Sequence, residues 1–295
     1  MVQAPAEMAA EMDLAPAQSG FWTRFKRHRL VQIGALLVLI LVFTALLAPL
    51  LAPHDPRQIV ANPAHPSAPG LVLGADSLGR DILSRVLFGA RISLLVAMIA
   101  MLTSVIMGTT IGLLGGYFEG WVDVLLTRVT ESVMSLPTIL LAIALFVVIP
   151  GESISMRLLK LLLAISLVTW TGIARAVRGV TLSLKKREYV DAAKALGCSH
   201  TRIIFLHLLP NVLPTVIVMA TLAVAQNILL EAGLSYLGQG IDPSVASWGS
   251  MIKDGEPFLL AAPWMVLVPG IAIVLAVTGF NLLGRGLEET LETRR

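Results

Sequence analysis

Long apolar segments constrain this chain more than any other feature. The first, Leu30 to Ala52, has 23 residues and no charge, enough to cross a hydrocarbon core of roughly 30 Å as a helix rising 1.5 Å per residue. The chain is 56% hydrophobic and 14% charged, against about half and about a quarter in soluble domains. The sequence therefore predicts an all-α integral membrane protein with six transmembrane helices. The five further apolar segments are Ile92–Tyr117, Thr127–Ile149, Leu158–Val177, Val212–Leu230 and Trp264–Leu283.

The third segment is the least regular of the six. After Pro137 it keeps only a short apolar stretch, too short for a span of about 20 residues. The helix must therefore include the upstream turn that carries Arg128, Glu131 and Ser135. Residues three apart lie on one face of a helix, so we expect Arg128 and Glu131 to pair, which lowers the cost of placing charge near lipid.

The placement of basic residues predicts the orientation in the membrane. With six spans, most of the 22 lysines and arginines fall on the side that holds the N-terminus. Basic loops stay in the cytoplasm, so we expect both termini there. Residues 1–29 form a disordered tail with a basic end, because they lack the apolar core of a cleavable signal. Residues 288–295 form the second cytoplasmic tail, and residues 185–210 form the most basic inner loop.

The first outer loop, residues 53–91, is expected to be irregular at its proline-rich start and helical at its end. In its last part Ile82, Val86 and Leu87 share one face of a helix, while Asp81, Arg85 and Arg91 lie elsewhere. This pattern predicts an amphipathic helix at the membrane surface that leads into the second span. The alternative is a polar bend that only connects the loop to the span.

Polar and small residues inside the spans have two interpretations. Gln226, Asn227 and Glu231, near the end of the fifth span, either face a water-filled route or form hydrogen bonds between helices. The glycines of the stretch GTTIGLLGGY favour close helix packing, and the alternative is a pore-lining role.

A polar insert, REYVDAAKALGCSHTRIIFLHLLPN (residues 187–211), separates the fourth and fifth spans. Alanines favour a first short helix, Gly197 suits the left-handed residue that ends it, and Ser199 suits the N-cap of a second helix. Pro210 and Pro214 are expected to stop or kink that second helix. Small alanines and Tyr189 at the tip indicate a docking surface for another protein, and the alternative is a basic hairpin that only fixes the topology.

The insert resembles the E-A-A loop of permease subunits of bacterial ATP-binding-cassette importers. That pattern is E-A-A, three residues, G, nine residues, I, any residue, L-P. The matching positions here are Asp191, Ala192, Ala193, Gly197, Leu209 and Pro210. Asp191 replaces the glutamate and His207 the isoleucine, and the ending HLLPN is similar to the peptide and nickel branch of the family. Residues 73–94, 231–255 and 263–287 also resemble the second permease of dipeptide, oligopeptide and nickel importers, although Arg285 and Glu131 depart from its usual charges.

The resemblance implies a six-span importer permease with a core at residues 92–287, in a bacterial inner membrane. It implies a heterodimer with a homologous permease, two ATP-binding subunits that hold ATP and Mg²⁺, and an extracytoplasmic solute-binding protein. No cofactor is expected in this chain, which lacks a G-x-x-x-x-G-K-[ST] phosphate loop and is not expected to be an enzyme. The ATPase-coupling residues would be Tyr189, Asp191, Ala192, Ala193, Leu196, Gly197, Leu209 and Pro210.

The outer segment, residues 231–263, also takes a role from the resemblance. It would gate the pathway or contact the binding protein, and the alternative is a structural re-entrant turn. The residues expected to do so are Gly238, Gly240, Pro243, Trp248 and Gly249. Peptides are the leading solute, while nickel chelates, glutathione and opines stay open.

Other classes of function fit the sequence less well. A secondary transporter that works without ATPase subunits is the second choice. It would need polar groups near the midplane of the membrane, whereas the polar groups of this sequence cluster at the ends of the spans. An intramembrane enzyme would need a motif such as H-E-x-x-H, which the sequence lacks. The single Cys198 and the scattered histidines predict no metal site. The sequence also lacks a basic run interleaved with aromatic residues, so it does not predict nucleic-acid binding.

Overall fold

The structure is a computed structural model that describes residues 28–67, 69–242 and 244–292. The tail expected for residues 1–29 lies almost entirely outside this range, and Pro243 lies outside it too. The described residues are helical, and their only extended pairings are two isolated bridges, Ile59 with Arg80 and Ala75 with Asp81. The predicted all-α class is confirmed.

The described part of the chain contains eleven α-helices, numbered here in chain order, with one π-helix and one 3₁₀ helix. The α-helices are α1 (Arg29–Leu46), α2 (Ala48–Leu51), α3 (Ile82–Phe118), α4 (Gly120–Met134), α5 (Thr138–Val148), α6 (Ile154–Leu184), α7 (Glu188–Ala195), α8 (His200–Arg202), α9 (Leu209–Tyr236), α10 (Trp248–Gly255) and α11 (Trp264–Glu292). The π-helix Ile203–Leu208 joins α8 to α9, and the 3₁₀ helix Glu256–Phe258 follows α10.

The predicted spans correspond to five long helices and one broken pair. In the described chain α1, α3, α6, the run His200–Tyr236 and α11 are long and apolar enough to cross a membrane. Helices α4 and α5 meet the same criterion together, but they are bent by 91° at the break between them. Pro137 lies at this break as the N-cap of α5, and its missing N–H cannot continue the hydrogen bonds of α4. The third segment is therefore not one straight helix.

Helix α3 begins earlier than the second span was expected to begin. It is one helix of 37 residues, so the helix predicted at the end of the first outer loop is present, but it is the first part of α3. Asp81 caps it, accepting a hydrogen bond from the Ser84 N–H at 3.0 Å. Asp81 and Arg85 were expected on a polar face, yet both are buried. The outer loop packs over this end of α3 and supplies charged partners, so the polar side chains can face inward.

The fifth span also differs from its prediction. Pro210 and Pro214 do not stop the helix, because Pro210 lies in the first turn of α9, where its N–H would have no partner, and Pro214 is accommodated inside α9. The preceding π-helix leads directly into α9, and at its end the Leu209 N–H donates to the Ile204 carbonyl five residues back. The second helix of the insert therefore continues into the span, and the helical run extends from His200 to Tyr236.

Helices α3 and α6 pack closely through glycines. A methyl group added at Gly112 would lie 2.6 Å from the Ala174 carbonyl oxygen, and one at Gly108 would lie 2.7 Å from that of Trp170. These glycines are four residues apart, as expected for a face where two helix backbones approach each other. The packing interpretation of this glycine stretch is confirmed.

Two large apolar clusters hold the helices of the bundle together. One joins α1, α3, α9 and α11 through residues such as Leu41, Leu94, Ile228 and Phe280. The other joins α3, α6 and α9 to the insert through Ile173, Val190, Ile203 and Val212. The insert thus sits at one end of the helix bundle, and α10 packs at the opposite end.

Candidate functional site

The polar insert forms a hairpin of two short helices joined by a glycine turn, as predicted. Helix α7 ends in a Schellman motif: the Gly197 N–H donates to the Lys194 carbonyl at 2.9 Å and the Cys198 N–H to the Ala193 carbonyl at 3.1 Å. Gly197 has φ +74°, a conformation that costs other residues about 1–2 kcal/mol. Ser199 then caps α8 by accepting from the Arg202 N–H. Gly197 therefore fixes the turn of the hairpin.

The inner face of the hairpin is apolar and packs onto the bundle. Val190 is fully buried and Ala193 is 5% exposed. Both belong to the cluster that contains Ile203, Leu208 and Val177 of the neighbouring helices. Burial of this kind stabilises by about 25 cal/mol per Å² of apolar surface, so the hairpin is attached as a rigid part of the fold.

One polar contact joins the hairpin to the end of α3, and others join the end of α3 to the end of α6. The Tyr117 hydroxyl and His200 Nδ1 are 2.7 Å apart, which connects the last turn of α3 to α8. At the end of α6, Lys185 Nζ donates to the Tyr117 carbonyl at 2.9 Å and pairs with Glu119 at 2.9 Å. A force applied to the hairpin is therefore transmitted to both spans.

The outer face of the hairpin exposes apolar and small side chains. Leu196, at the tip, is 84% exposed, and Tyr189 is 39% exposed. Asp191, Ala192 and Gly197 are exposed beside them, as is Pro210, whereas Leu209 is only partly exposed. Ala193 was expected at the docking surface, but it faces inward because the helical repeat turns it toward the cluster. The outer face of the insert, defined by Tyr189, Asp191, Ala192, Leu196 and Gly197, is the candidate docking surface.

At the opposite end, α10 is packed tightly between α3 and α9. Trp248 is 1% exposed, and its Nε1 donates to the Val86 carbonyl at 3.1 Å. A methyl group at Gly249 would lie 2.6 Å from the Cα of Ala232. Trp248 and Gly249 were expected at a gate or contact surface, but in this chain they lie inside the packing, which favours the structural alternative for them.

Charged residues attach the first outer loop to α10. The Asp76 carboxylate lies 2.7 Å from Arg80 Nε and 3.2 Å from Arg85 Nε. Asp254, in α10, lies 3.6 Å from Arg80 and 3.7 Å from Arg85. Burial raises the pKa of the Asp254 carboxyl, while Arg85 and Arg80 oppose that rise. Loop, α3 and α10 are thus joined by one cluster of four charges.

Gly238 and Gly240 are placed differently from Trp248 and Gly249. Both are partly exposed and line a cavity of about 100 Å³ with Arg157, Asp242 and Lys253. Gly238 has φ +86°, which fixes the turn after α9. These two glycines therefore lie where a second molecule has access.

The three polar residues of the fifth span separate into two faces. Glu231 is fully buried and accepts hydrogen bonds from Ser93 at 2.8 Å and from Ser235 at 2.7 Å. Asn227 is also buried and donates to the Ala97 carbonyl at 3.1 Å. Gln226 is exposed on another face of α9. For Asn227 and Glu231 the geometry favours the alternative of helix–helix hydrogen bonding.

Comparison with known proteins identifies the family of this helical bundle. Residues 108–295 match the model of the family described as "Binding-protein-dependent transport system inner membrane component". Residues 19–69 match the "N-terminal TM domain of oligopeptide transport permease C". The chain belongs to this family of transport permeases. It is a multi-pass inner-membrane protein and a permease subunit of an ATP-binding-cassette importer.

Individual relatives resemble the permease over nearly all of its length. The dipeptide transport system permease protein of Alkalihalophilus pseudofirmus is 39% identical over 92% of this chain and 88% of its own. The glutathione transport system permease protein of Pectobacterium atrosepticum is 37% identical over 93% of this chain and 90% of its own. The corresponding protein of Escherichia coli O157:H7 is 37% identical over 93% of this chain and 89% of its own.

Sequence reasoning missed the charged cluster of the permease. Asp76, Arg80 and Arg85 lie in a stretch that was read as an amphipathic surface, and Asp254 is far away in the sequence. The spacing of four between Asp76 and Arg80 was an available signal. Pairing with Asp254, by contrast, depends on how the loop folds over α3, which local periodicity does not contain.

Proposed function

We propose that the permease couples to ATP-binding subunits through the outer face of its insert and imports a peptide-like solute. The observation that carries this proposal is the exposed Leu196 at the tip of a hairpin that is itself rigidly attached to α3, α6 and α9. An exposed leucine on a rigid element offers apolar contact area at little cost in conformational entropy. Such a surface suits a protein partner better than water.

The coupling would work by differential contact. Closure of two ATP-binding subunits, which would hold ATP and Mg²⁺, shifts the permease only if they contact the insert differently in its two states. The insert follows α6 in the chain, continues directly into α9, and contacts the end of α3 through His200 and Tyr117, so its displacement would move three spans together. Hydrolysis itself is assigned to those partners.

The remaining partners follow from the same proposal. A homologous permease would form the other half of the pathway, and an extracytoplasmic binding protein would deliver the solute at the end that carries Gly238 and Gly240. The insert would face the cytoplasm, since it is the most basic loop, and both termini would lie on that side. Relatives of this chain are named as dipeptide and glutathione permeases, which supports a peptide-like solute.

Reconstituted transport tests the proposal. The permease, its partner permease, the ATP-binding subunits and the binding protein are placed in proteoliposomes, and uptake of radiolabelled dialanine and glutathione is measured with and without ATP. We expect ATP-dependent uptake of at least one of them. Uptake that continues without ATP-binding subunits would support a secondary transporter instead, and ATP-driven uptake of neither would contradict the peptide assignment.

A variant of the insert tests the coupling itself. Leu196→Asp should leave the fold intact, because surface substitutions usually change stability by about 0.5 kcal/mol or less, but it should lower solute transported per ATP about tenfold. Leu260→Asp is the matched control, since Leu260 is fully exposed at the opposite end. Equal transport per ATP in both variants would contradict docking at the tip.

A further inference from the structure

A polar cleft lies beside the broken span formed by α4 and α5. It has a volume of about 430 Å³ and lies between α3, α4 and α6 near the insert end of the bundle. This volume falls in the range of roughly 300–1,000 Å³ found for sites that bind small molecules. Its polar lining consists of Thr127, Thr130, Glu131, Ser135, Arg175 and Arg178.

The break between α4 and α5 indicates that this region does not face lipid. Ser135, Leu136 and Pro137 connect the two helices across the 91° bend and are exposed in this chain. Non-helical backbone at membrane depth is tolerated only where it is buried in protein or lines a water-filled cavity. Broken helices in transporters commonly mark solute sites for this reason.

The charges around the cleft leave one cation without a carboxylate. Arg178 donates to both oxygens of Asp123, at 2.5 and 2.6 Å. Arg128 pairs with Glu131 at 3.2 Å. Within the described residues Arg175 forms no salt bridge. Its guanidinium is therefore available to a ligand.

The surface around Arg175 is also open. Gly172 and Gly179 lie one turn before and one turn after it on α6, and a methyl group at either glycine would meet nothing within 4 Å. A guanidinium presents a planar set of donors that matches a carboxylate in two parallel hydrogen bonds. Glu131 also lines this cleft, and its side chain is 56% exposed. Within the described residues it contacts Arg128 through Oε2 alone, so Oε1 is available to a cationic group of a ligand.

We propose that this cleft is a solute subsite in which Arg175 binds the carboxylate, and Glu131 the ammonium group, of a peptide-like zwitterion. The solute class rests on the proposed function. The arrangement of the site rests on the cleft, the broken span and the unpaired Arg175. The subsite lies at the insert end, so it would hold the solute shortly before its release on that side.

Ligand binding without the binding protein isolates this subsite. The permease complex with its partner permease and ATP-binding subunits is placed in phosphatidylcholine nanodiscs, and saturation-transfer NMR follows titration with dialanine, its C-terminal amide and its N-acetyl form. Wild type should bind the amide about tenfold more weakly than dialanine, because a charge-assisted bond is lost. This comparison needs no variant and so does not depend on how a mutant folds.

Substitutions then assign the two ends of the ligand. Arg175→Gln should weaken dialanine about tenfold and abolish its advantage over the amide, while Arg175→Lys should restore part of the affinity. Glu131→Gln should weaken dialanine but not N-acetyl-dialanine. Arg91→Gln is the control, since Arg91 is exposed at the other end of α3.

Two results would overturn the inference: equal affinity of wild type and Arg175→Gln for dialanine, or no saturation transfer to dialanine in wild type. The ATP-driven uptake assay separates this failure from failure of the proposed function. Uptake without Arg175-dependent binding would leave the importer role intact and remove the subsite. Arg175-dependent binding without any ATP-driven uptake would do the reverse.

Discussion

At the scale of single residues, neighbouring positions of the insert have opposite surroundings. Ala192 is exposed, whereas Ala193 packs into the cluster formed with Ile203 and Val177. The motif D-A-A is read as one unit in the sequence, but the helix turns each residue by about 100°, so only part of the motif can face a partner. The second alanine contributes to the attachment of the hairpin instead.

A pair of substitutions tests this division. Ala193→Arg should destabilise the permease, because overpacking alone costs about 1–3 kcal/mol and burying a charge adds to that. Ala192→Arg should leave the melting temperature nearly unchanged and reduce transport per ATP. Thermal unfolding of the purified protein, followed by the uptake assay, measures both. Equal melting temperatures for the two variants would show that the hairpin is not packed as described.

At the scale of elements, periodicity predicted most helices correctly but not their junctions. Five of the six apolar segments correspond to long helices and the third to the bent pair α4 and α5, and the hairpin with its Gly197 turn and Ser199 cap is confirmed. The break after α4 and the continuation through Pro210 depend on the local placement of Pro137 and Pro210 in their helices, which hydrophobic periodicity does not resolve. The early start of α3 depends instead on contacts between distant segments. The burial of Arg85, for example, depends on Asp76 and Asp254, so no local pattern could reveal it.

The packing of α3 on α6 gives a prediction at this scale. Gly112→Ala should destabilise the permease by about 1–3 kcal/mol, because the added methyl group meets the Ala174 carbonyl oxygen at 2.6 Å and the core cannot yield without strain. Gly172→Ala, on an open face of the same helix pair, should be neutral or stabilising by up to about 1 kcal/mol. Thermal unfolding in detergent compares the two. A greater loss of stability at Gly172 would contradict the helix packing.

At the scale of the whole molecule, the two ends of the bundle differ in chemistry. The insert end carries an exposed leucine on a basic hairpin, and the opposite end carries a charged cluster with α10 packed beneath it. The family, the helical class and the hairpin of the insert could be predicted from the sequence. Which residues of each end are accessible could not, since Trp248 and Gly249 resemble exposed loop residues until α10 is seen between α3 and α9.

Cysteine labelling tests the orientation of these two ends. In a Cys198→Ser background, Leu260→Cys should react with a membrane-impermeant maleimide in whole cells. Leu196→Cys should react only after the membrane is opened if the basic insert faces the cytoplasm, as proposed. Both side chains are highly exposed, so in a permease pair produced without its ATP-binding subunits the membrane alone limits access. The reverse pattern would invert the topology.

The central claim is that ATP-binding subunits dock on the outer face of the insert, and amide hydrogen exchange tests it most directly. Exchange is compared for the permease pair in nanodiscs with and without the ATP-binding subunits, because a docked partner slows exchange at the surface that it covers. With the ATP-binding subunits bound, we expect slower amide exchange in residues 188–202 and no change in residues 238–254. Unchanged exchange in the insert, in a complex that still hydrolyses ATP and transports solute, would contradict it.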